Sequence, residues 1–574
     1  RHLALVVAGA GSGKTRVLTA KIAYLLEQGV KPWRIMALTF TNKAANEMKE
    51  RIAAQTGINV GSLLMGTFHS VFARMLRREA DKTRLHSNFT IYDESDSRSL
   101  IKTIVKQMQL DDNIYKPSAI HSRISLMKNK LVTAERYCNT PEFYREDNLR
   151  KIPKVGLIFR EYEERCVQAN AMDFDDLLLN TYLLFVHHED VRQRYEQMFD
   201  FILVDEYQDT NYAQQQILLL LRKENHHICV VGDDYQSIYG FRGANIDNIL
   251  TFQRIFSDAQ LFKLEQNYRS TQTIVSAANG LMKHNVHQID KNVFSQQAVG
   301  KPIQLFEAQS DREEALIVCK QIAMLRREQG AKFGDFAVLY RTNAQSRVLE
   351  EEFQKRGYPF RIYGGTGFYQ RKEIKDVIAY FRLIVNADDE EAFMRIVNFP
   401  ARGIGATTLS RLSAYANQQH ISLWEALNVL ATNAQAVQIQ SAARTRLLQF
   451  QALIHELQEQ QQVLNAAELT ARLFAAIDFY AAYSVSGVDH ETLARRENIE
   501  ALVDSISEFV ERKLEEGLLN EVSLTDYLQE VSLLTSVDAV ENMADGDGQT
   551  ITLMTIHMAK GLEFPVVADR KSVV

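Results

Sequence analysis

The sequence predicts an α/β protein built on parallel sheets, and three observations carry that prediction. Leu3-Ala4-Leu5-Val6-Val7 reads as a buried strand that runs through a glycine-rich turn into helical spacing from Val17 to Leu26. Phe201-Ile202-Leu203-Val204 is a further buried strand, and it delivers adjacent carboxylates, Asp205 and Glu206, at its carboxyl end. Ile35-Met36-Ala37-Leu38-Thr39-Phe40 and Ile228-Cys229-Val230-Val231 repeat the pattern of an apolar run ending in polar residues, where open α/β sheets bind ligands.

A chain of 574 residues is too long for one core, and a prior of about 150 residues per domain implies several units. Hydrophobic content of 46% and charged content of 24% place it among ordinary globular proteins. No apolar run approaches about 18 residues, so no membrane span is expected. The chain enters its first strand at once, leaving no room for a signal peptide. Cys138, Cys166, Cys229 and Cys319 are scattered without a C-x-x-C pair, which argues against disulfides or zinc and for a cytoplasmic setting. A net charge of −6 does not announce a nucleic-acid binder, yet it leaves room for a local basic groove.

The turn Ala8-Gly9-Ala10-Gly11-Ser12-Gly13-Lys14-Thr15-Arg16 is a phosphate-binding loop in its required strand–turn–helix context. Its glycines let backbone N–H groups converge on an anion at a helix N-terminus. Lys14 can reach the β- and γ-phosphates of a nucleotide, and the Thr15 hydroxyl can ligate Mg²⁺. The loop's first glycine position is filled by Ala8. After the Ile35 strand, Thr41 or Asn42 is placed to cap a helix, with Phe40 beside them. Gly66-Thr67-Phe68-His69-Ser70 repeats the aromatic–hydroxyl design, which suits bases stacking on rings while hydroxyls meet phosphates.

From Phe72 to Met198 the pattern is mainly helical. Arg74, Arg77, Arg78, Arg123, Lys128 and Lys130 form basic stripes, read as solvated helix faces ahead of nucleic-acid contacts. Asp173-Phe174-Asp175-Asp176 is a charged turn opening a helix, with a structural role. Asp205 is the Mg²⁺ carboxylate and Glu206 the group that orients the attacking water. In Tyr235-Gln236-Ser237-Ile238-Tyr239-Gly240-Phe241-Arg242, Gln236 is placed to sense a γ-phosphate, while Tyr239, Phe241 and Arg242 supply stacking and charge. Leu264-Glu265-Gln266-Asn267-Tyr268-Arg269 then pairs an aromatic with an arginine able to stabilise transferring phosphate.

Together with Leu339 to Arg347 and Met554 to Phe564, these segments resemble, in order, the motif series of superfamily 1A DNA helicases, the UvrD/PcrA/Rep group. The resemblance implies two RecA-like P-loop motor domains with parallel sheets, each carrying a mainly helical insertion. The first motor is expected at 1–75 and 190–265 with its insertion at 76–189, and the second at 266–370 and 549–574 with its insertion at 371–548. It implies ATP and Mg²⁺ as cofactors. Lys14, Glu206, Gln236 and Arg269 are then catalytic, and Arg16 and Tyr268 sandwich adenine while Glu563 binds ribose. Phe40, Thr41, Asn42, His69, Tyr239, Phe241, Arg242, Asn343 and His557 match positions that contact single-stranded DNA, and Gly403 and Gly405 lie in a turn that touches duplex. Phe241 stands where many relatives have tryptophan.

The implied activity is ATP-driven 3′–5′ movement on single-stranded DNA with duplex unwinding. Its partners would be single-stranded DNA, ss/ds junctions and repair or replication proteins, with no membrane. A RecB/AddA-like recombination motor and a protein-displacing translocase with little unwinding are the alternatives. A glutamine-containing segment before the loop and an arginine-bearing sixth motif after Phe564 are absent. The strand beginning at Pro565 is expected to break at Ala568, and Asp569 to Val574 match a translated sequencing adapter. An incomplete frame with an artefactual tail, and weak ATPase, are therefore expected.

Overall fold

The computed structural model describes residues 3–222, 227–240, 243–342, 345–363, 368–479, 490–532 and 549–570. Its first sheet has the order β3-β2-β6-β7-β1-β8, all parallel, from β1 (Ala4–Ala8), β2 (Ile35–Thr39), β3 (Leu64–Thr67), β6 (Phe201–Val204), β7 (His227–Gly232) and β8 (Gln260–Leu264). Strands buried on both faces need continuous apolar runs, and β1 and β2 are buried throughout. Helices cover both sides. Leu5, Val7 and Leu38 face one core with Phe68 and Phe72, while Val6, Ala37 and Leu203 face another with Ile22 and Met48.

The segment between β3 and β6 is a helical unit with its own core around Ile101, Ile124 and Phe159. It also contains a short parallel pair, β4 (Thr90–Tyr92) with β5 (Ala171–Asp173), which the helical pattern concealed. Beyond β8, β9 (Gln266–Asn267) pairs with β10 (Phe294–Ser295). The second sheet has the order β12-β13-β11-β14, from β11 (Phe336–Tyr340), β12 (Phe360–Ile362), β13 (Ile551–Thr555) and β14 (Val566–Asp569). Between β12 and β13 lie helices from Lys372–Val385 to Leu524–Ser532 around a separate core that includes Tyr380, Phe393 and Leu427. The expected linker at Asn542 to Gly548 lies outside the described residues.

Two expectations are corrected. The strand after Pro565 does not break at Ala568: β14 continues through Asp569, paired with Leu339 of β11, and Arg570 is held by Asp311 (2.7 Å) and Glu314 (2.5 Å). The basic stripe of the first helical unit is not a solvated face throughout. Lys128 has no exposed side-chain surface and Arg123 only 6%, because each is turned inward onto carboxylates. Amphipathic spacing cannot distinguish a cation in water from one paired inside.

Candidate nucleotide and nucleic-acid site

The loop after β1 wraps tightly. Ser12 donates to the Gly9 carbonyl through both its backbone N–H (3.2 Å) and its hydroxyl (2.6 Å). Gly11 and Gly13 have φ of +68° and +86°, the left-handed region where a side chain is strained. Gly9 is required for a different reason: a Cβ there would lie 2.7 Å from Val293 Cγ2. Ala8 is wholly buried as the last residue of β1, so its methyl sits in the sheet rather than the loop. The helix Lys14–Glu27 begins with no side-chain cap, and its first-turn N–H groups have no intrahelical acceptor. That concave set of donors fits a polyphosphate.

Lys14 is buried, with Nζ 3.1 Å from Glu206 Oε2. Burial opposes its charge, but Glu206, Asp233 and Asp205 outweigh burial and hold its pKa above the ordinary value. The Thr15 hydroxyl donates to Asp205 Oδ2 at 3.4 Å. A hydroxyl beside one carboxylate suits Mg²⁺, which takes few protein ligands and completes its octahedron with water and substrate phosphate. Among the described residues no cluster of three or more His, Cys, Asp or Glu forms a metal cage. Asp205 and Glu206 titrate in opposite directions. Burial and then Glu206 raise Asp205, whereas at Glu206 burial is outweighed by Lys14 and Lys560 and the pKa falls. Glu206 therefore favours its charged form.

The backbone at Glu206 is strained, with φ 47° and ψ 43° at a non-glycine residue. The surrounding loop holds it there. Gln208, fully buried, donates through Nε2 to Glu206 Oε2 (2.5 Å), and its side-chain Oε1 accepts the backbone N–H of Asp233 (2.9 Å). Gln236 donates to Asp233 Oδ2 at 2.7 Å. Asn267 donates to the Ala10 carbonyl (2.6 Å) and Tyr268 N–H to the Gly11 carbonyl (3.0 Å), which seats Arg269 against the loop. A Cβ on Gly11 would come within 2.8 Å of Arg269 Cβ. Arg269 Nε pairs with Glu563 Oε2 at 2.5 Å, so the residue expected at ribose is engaged by the residue expected at phosphate. Arg16 and Tyr268 are both exposed beside the loop.

At the carboxyl ends of β2 and β7, the rings of Phe40 and Tyr239 stack at 6.1 Å with an interplanar angle of 6°. The Tyr239 hydroxyl donates to the carbonyl of His557 (3.0 Å), which follows β13 in the second sheet. Thr41 caps the helix Asn42–Thr56, its hydroxyl accepting from Ala44 N–H at 3.1 Å. The Gly66–Ser70 turn is only partly as expected. Phe68 is core and Thr67 caps a helix, leaving His69 half-buried with its ring edge-on to Phe174 at 5.6 Å. Burial brings the His69 pKa down to about 4, which keeps the imidazole neutral near pH 7. Gly403 and Gly405 belong to a separate turn in the second helical unit, where Arg446 donates to the Gly403 carbonyl (2.8 Å). Phe241, Arg242 and Asn343 lie outside the described residues.

Sequence reasoning passed over Lys560 and Lys291. Lys560, in the turn after β13, ion-pairs with Asp209, donates to the Gln236 carbonyl (2.7 Å) and lies 4.9 Å from the Tyr239 ring. Lys291 has no exposed side chain and bridges Asp233 (3.1 Å) and Asp234. Lys560 sat within a quoted motif, and its basic type was the available signal; Lys291 had none.

A family model described as the UvrD/REP helicase N-terminal domain matches residues 1–257, and one for the UvrD-like helicase C-terminal domain matches 262–568. The chain belongs to the UvrD/REP helicase family. That membership makes it a DNA helicase ATPase of the UvrD type, with the mixed α/β, parallel-sheet fold described above. It is 42% identical over 565 residues to a protein named ATP-dependent DNA helicase PcrA from Leuconostoc citreum, covering 98% of this chain and 74% of that relative. Proteins of the same name from Staphylococcus epidermidis and Staphylococcus aureus are 40% identical, with the same coverage. The matches cover 98% of this chain and give no support to the expectation of an incomplete frame with an artefactual tail. No described helix is long and apolar enough to cross a membrane.

Proposed function

We propose that this helicase moves 3′ to 5′ along single-stranded DNA and unwinds duplex ahead of it, in repair or replication, using ATP with Mg²⁺. The motors would be 1–75 with 190–265 and 266–370 with 549–574, and the insertions 76–189 and 371–548. One observation carries the reading. The stacked Phe40–Tyr239 pair is tied to His557 and Lys560 in the turn after β13, and the same Lys560 reaches Asp209 and Gln236 beside the nucleotide loop. A base entering this aromatic pair therefore acts on groups that also respond to nucleotide.

Lys14 and the first-turn N–H groups would hold the β- and γ-phosphates, drawing the amine away from Glu206. Asp205 and Thr15 would hold Mg²⁺, which supplies charge neutralisation on the phosphates when bound. Glu206 then orients and polarises water, and Arg269 stabilises charge on the transferring phosphoryl group. Arg16 and Tyr268 would flank the adenine, and Glu563 the ribose once Arg269 turns to phosphate. Phe40, Thr41, Asn42, His69, Tyr239, Phe241, Arg242, Asn343 and His557 would line the strand, and Gly403 and Gly405 the duplex at a junction.

Strand separation on partial duplexes bearing a 3′ or a 5′ single-stranded tail tests polarity directly. Unwinding of the 3′-tailed substrate alone, with hydrolysis stimulated by oligonucleotide, is the expected result. Unwinding of the 5′-tailed substrate alone would overturn the polarity, and hydrolysis indifferent to DNA would overturn the motor reading.

A further inference from the structure

The acidic turn Asp173–Asp176 is built more rigidly than a helix start requires. Asp173 caps the helix Phe174–His187, accepting the Asp176 N–H at 2.8 Å, while Asp176 returns the bond to Asp173 N–H at 3.2 Å. Lys128, with no exposed side-chain surface, lies 2.7 Å from both carboxylates, and the Tyr162 hydroxyl donates to Asp173 at 2.9 Å. A buried, fully engaged cluster of this kind cannot shift one member without stranding another. The turn therefore moves as a unit.

Phe174 and Asp175 are not used in locking it, and they face two functional elements. Phe174 carries the edge contact to His69. Asp175 accepts a hydrogen bond from Asn129 Nδ2 (2.7 Å), and Asn129 Oδ1 accepts one from Asn211 Nδ2 (2.6 Å). The second Nδ2 hydrogen of Asn129 goes to the Ser125 carbonyl (2.9 Å), so its amide has a single satisfying orientation. Asn211 ends the loop that begins at Asp205, and Asn248 bonds the carbonyls of Thr210 and Asn211 behind it. One rigid turn thus touches His69 directly and, through Asn129, reaches the loop that bears Glu206.

We propose that Phe174, Asp175 and Asn129 are positioning residues that make hydrolysis depend on DNA. A base seated on His69 displaces Phe174, the locked turn carries the displacement to Asp175, and the Asn129 bridge passes it to the Asp205–Asn211 loop. This rests on the reading that His69 contacts single-stranded DNA.

The test uses the whole chain and a deoxythymidine oligonucleotide, with hydrolysis measured against oligonucleotide concentration and affinity measured by fluorescence anisotropy. Asn129→Ala should lower the maximal stimulated rate by about fivefold or more, with hydrolysis lacking DNA and oligonucleotide affinity changed less than about twofold. Phe174→Leu, which keeps apolar volume and loses the ring edge, should instead raise the oligonucleotide concentration needed for half-maximal stimulation. A merely structural role would not split the two variants this way. Full stimulation in both variants, or a parallel loss of basal and stimulated rates, overturns the inference while the motor reading stands. A wild-type protein that oligonucleotide does not stimulate overturns both. If Asn129→Ala fails to fold, Phe174→Leu decides alone.

Discussion

Lys14 and Glu206 neutralise each other in the site, and on the proposed reading both must be released to work. Their pairing keeps two buried charges satisfied, and the strained φ at Glu206 is the kind of backbone cost, about 1–3 kcal/mol, that persists where neighbours hold a functional group in place. Glu206→Gln retains the shape and the Gln208 contact but removes the charge proposed to polarise water. It should keep nucleotide binding, read by a fluorescent ATP analogue, and lower DNA-stimulated phosphate release by about 10²–10⁴-fold. Phe40 contributes a ring face rather than charge. Phe40→Ala should weaken oligonucleotide affinity by about 1–3 kcal/mol, measured by anisotropy, and leave hydrolysis without DNA little changed.

At the scale of elements, the helical units are held by ions that composition made look like surface. Lys128 serves Asp173 and Asp176 at once, and deleting one partner of a buried pair leaves uncompensated charge. Lys128→Met should therefore lower stability by about 3–5 kcal/mol, seen as an earlier urea transition. A second ionic seam joins the two helical units. Arg382 spans Asp96 (2.8 Å) and Asp389 (2.8 Å), Lys375 meets Asp93 (2.8 Å), and Asn386 donates to Thr90 (3.0 Å). Glu391 lies in this seam, where burial and then Asp96 push its pKa up to about 8. A carboxyl raised in the folded state favours folding while protonated, so this contribution is lost as pH rises from the ordinary value through about 8. Glu391→Gln should raise the melting temperature at pH 8.5 and change it little at pH 4.5, as followed by scanning calorimetry.

Across the whole molecule, among the described residues, the two sheets meet through a few polar side chains rather than a shared apolar core. Their clusters are separate, and Tyr239, Lys560 and Arg269 span between them. Such a junction can open and close without exposing a hydrophobic face. Lys560→Ala removes the ion pair to Asp209 and the bond to the Gln236 carbonyl together. Nucleotide affinity should survive, while stimulation of hydrolysis by oligonucleotide falls by about 5-fold or more, measured as the ratio of rates with and without DNA.

The sequence by itself determined the parallel α/β strands, the nucleotide loop and the carboxylates after β6. Each rests on local rules: an apolar run for a doubly buried strand, glycine for positive φ, a hydroxyl or carboxylate at a strand's end. The aromatic Phe40 and Tyr239 were legible as types, but their stacking required β2 and β7 to lie in one sheet with β6 between them. Only the tertiary structure decided that Lys128 is inside, that Phe68 is core while His69 is not, and that Lys560 and Lys291 pair with Asp209, Asp233 and Asp234. Charge and spacing are the same for a cation in water and one on a buried carboxylate. What separates them is which distant element arrives, and residues 128 and 173, or 209 and 560, meet only after the chain has folded.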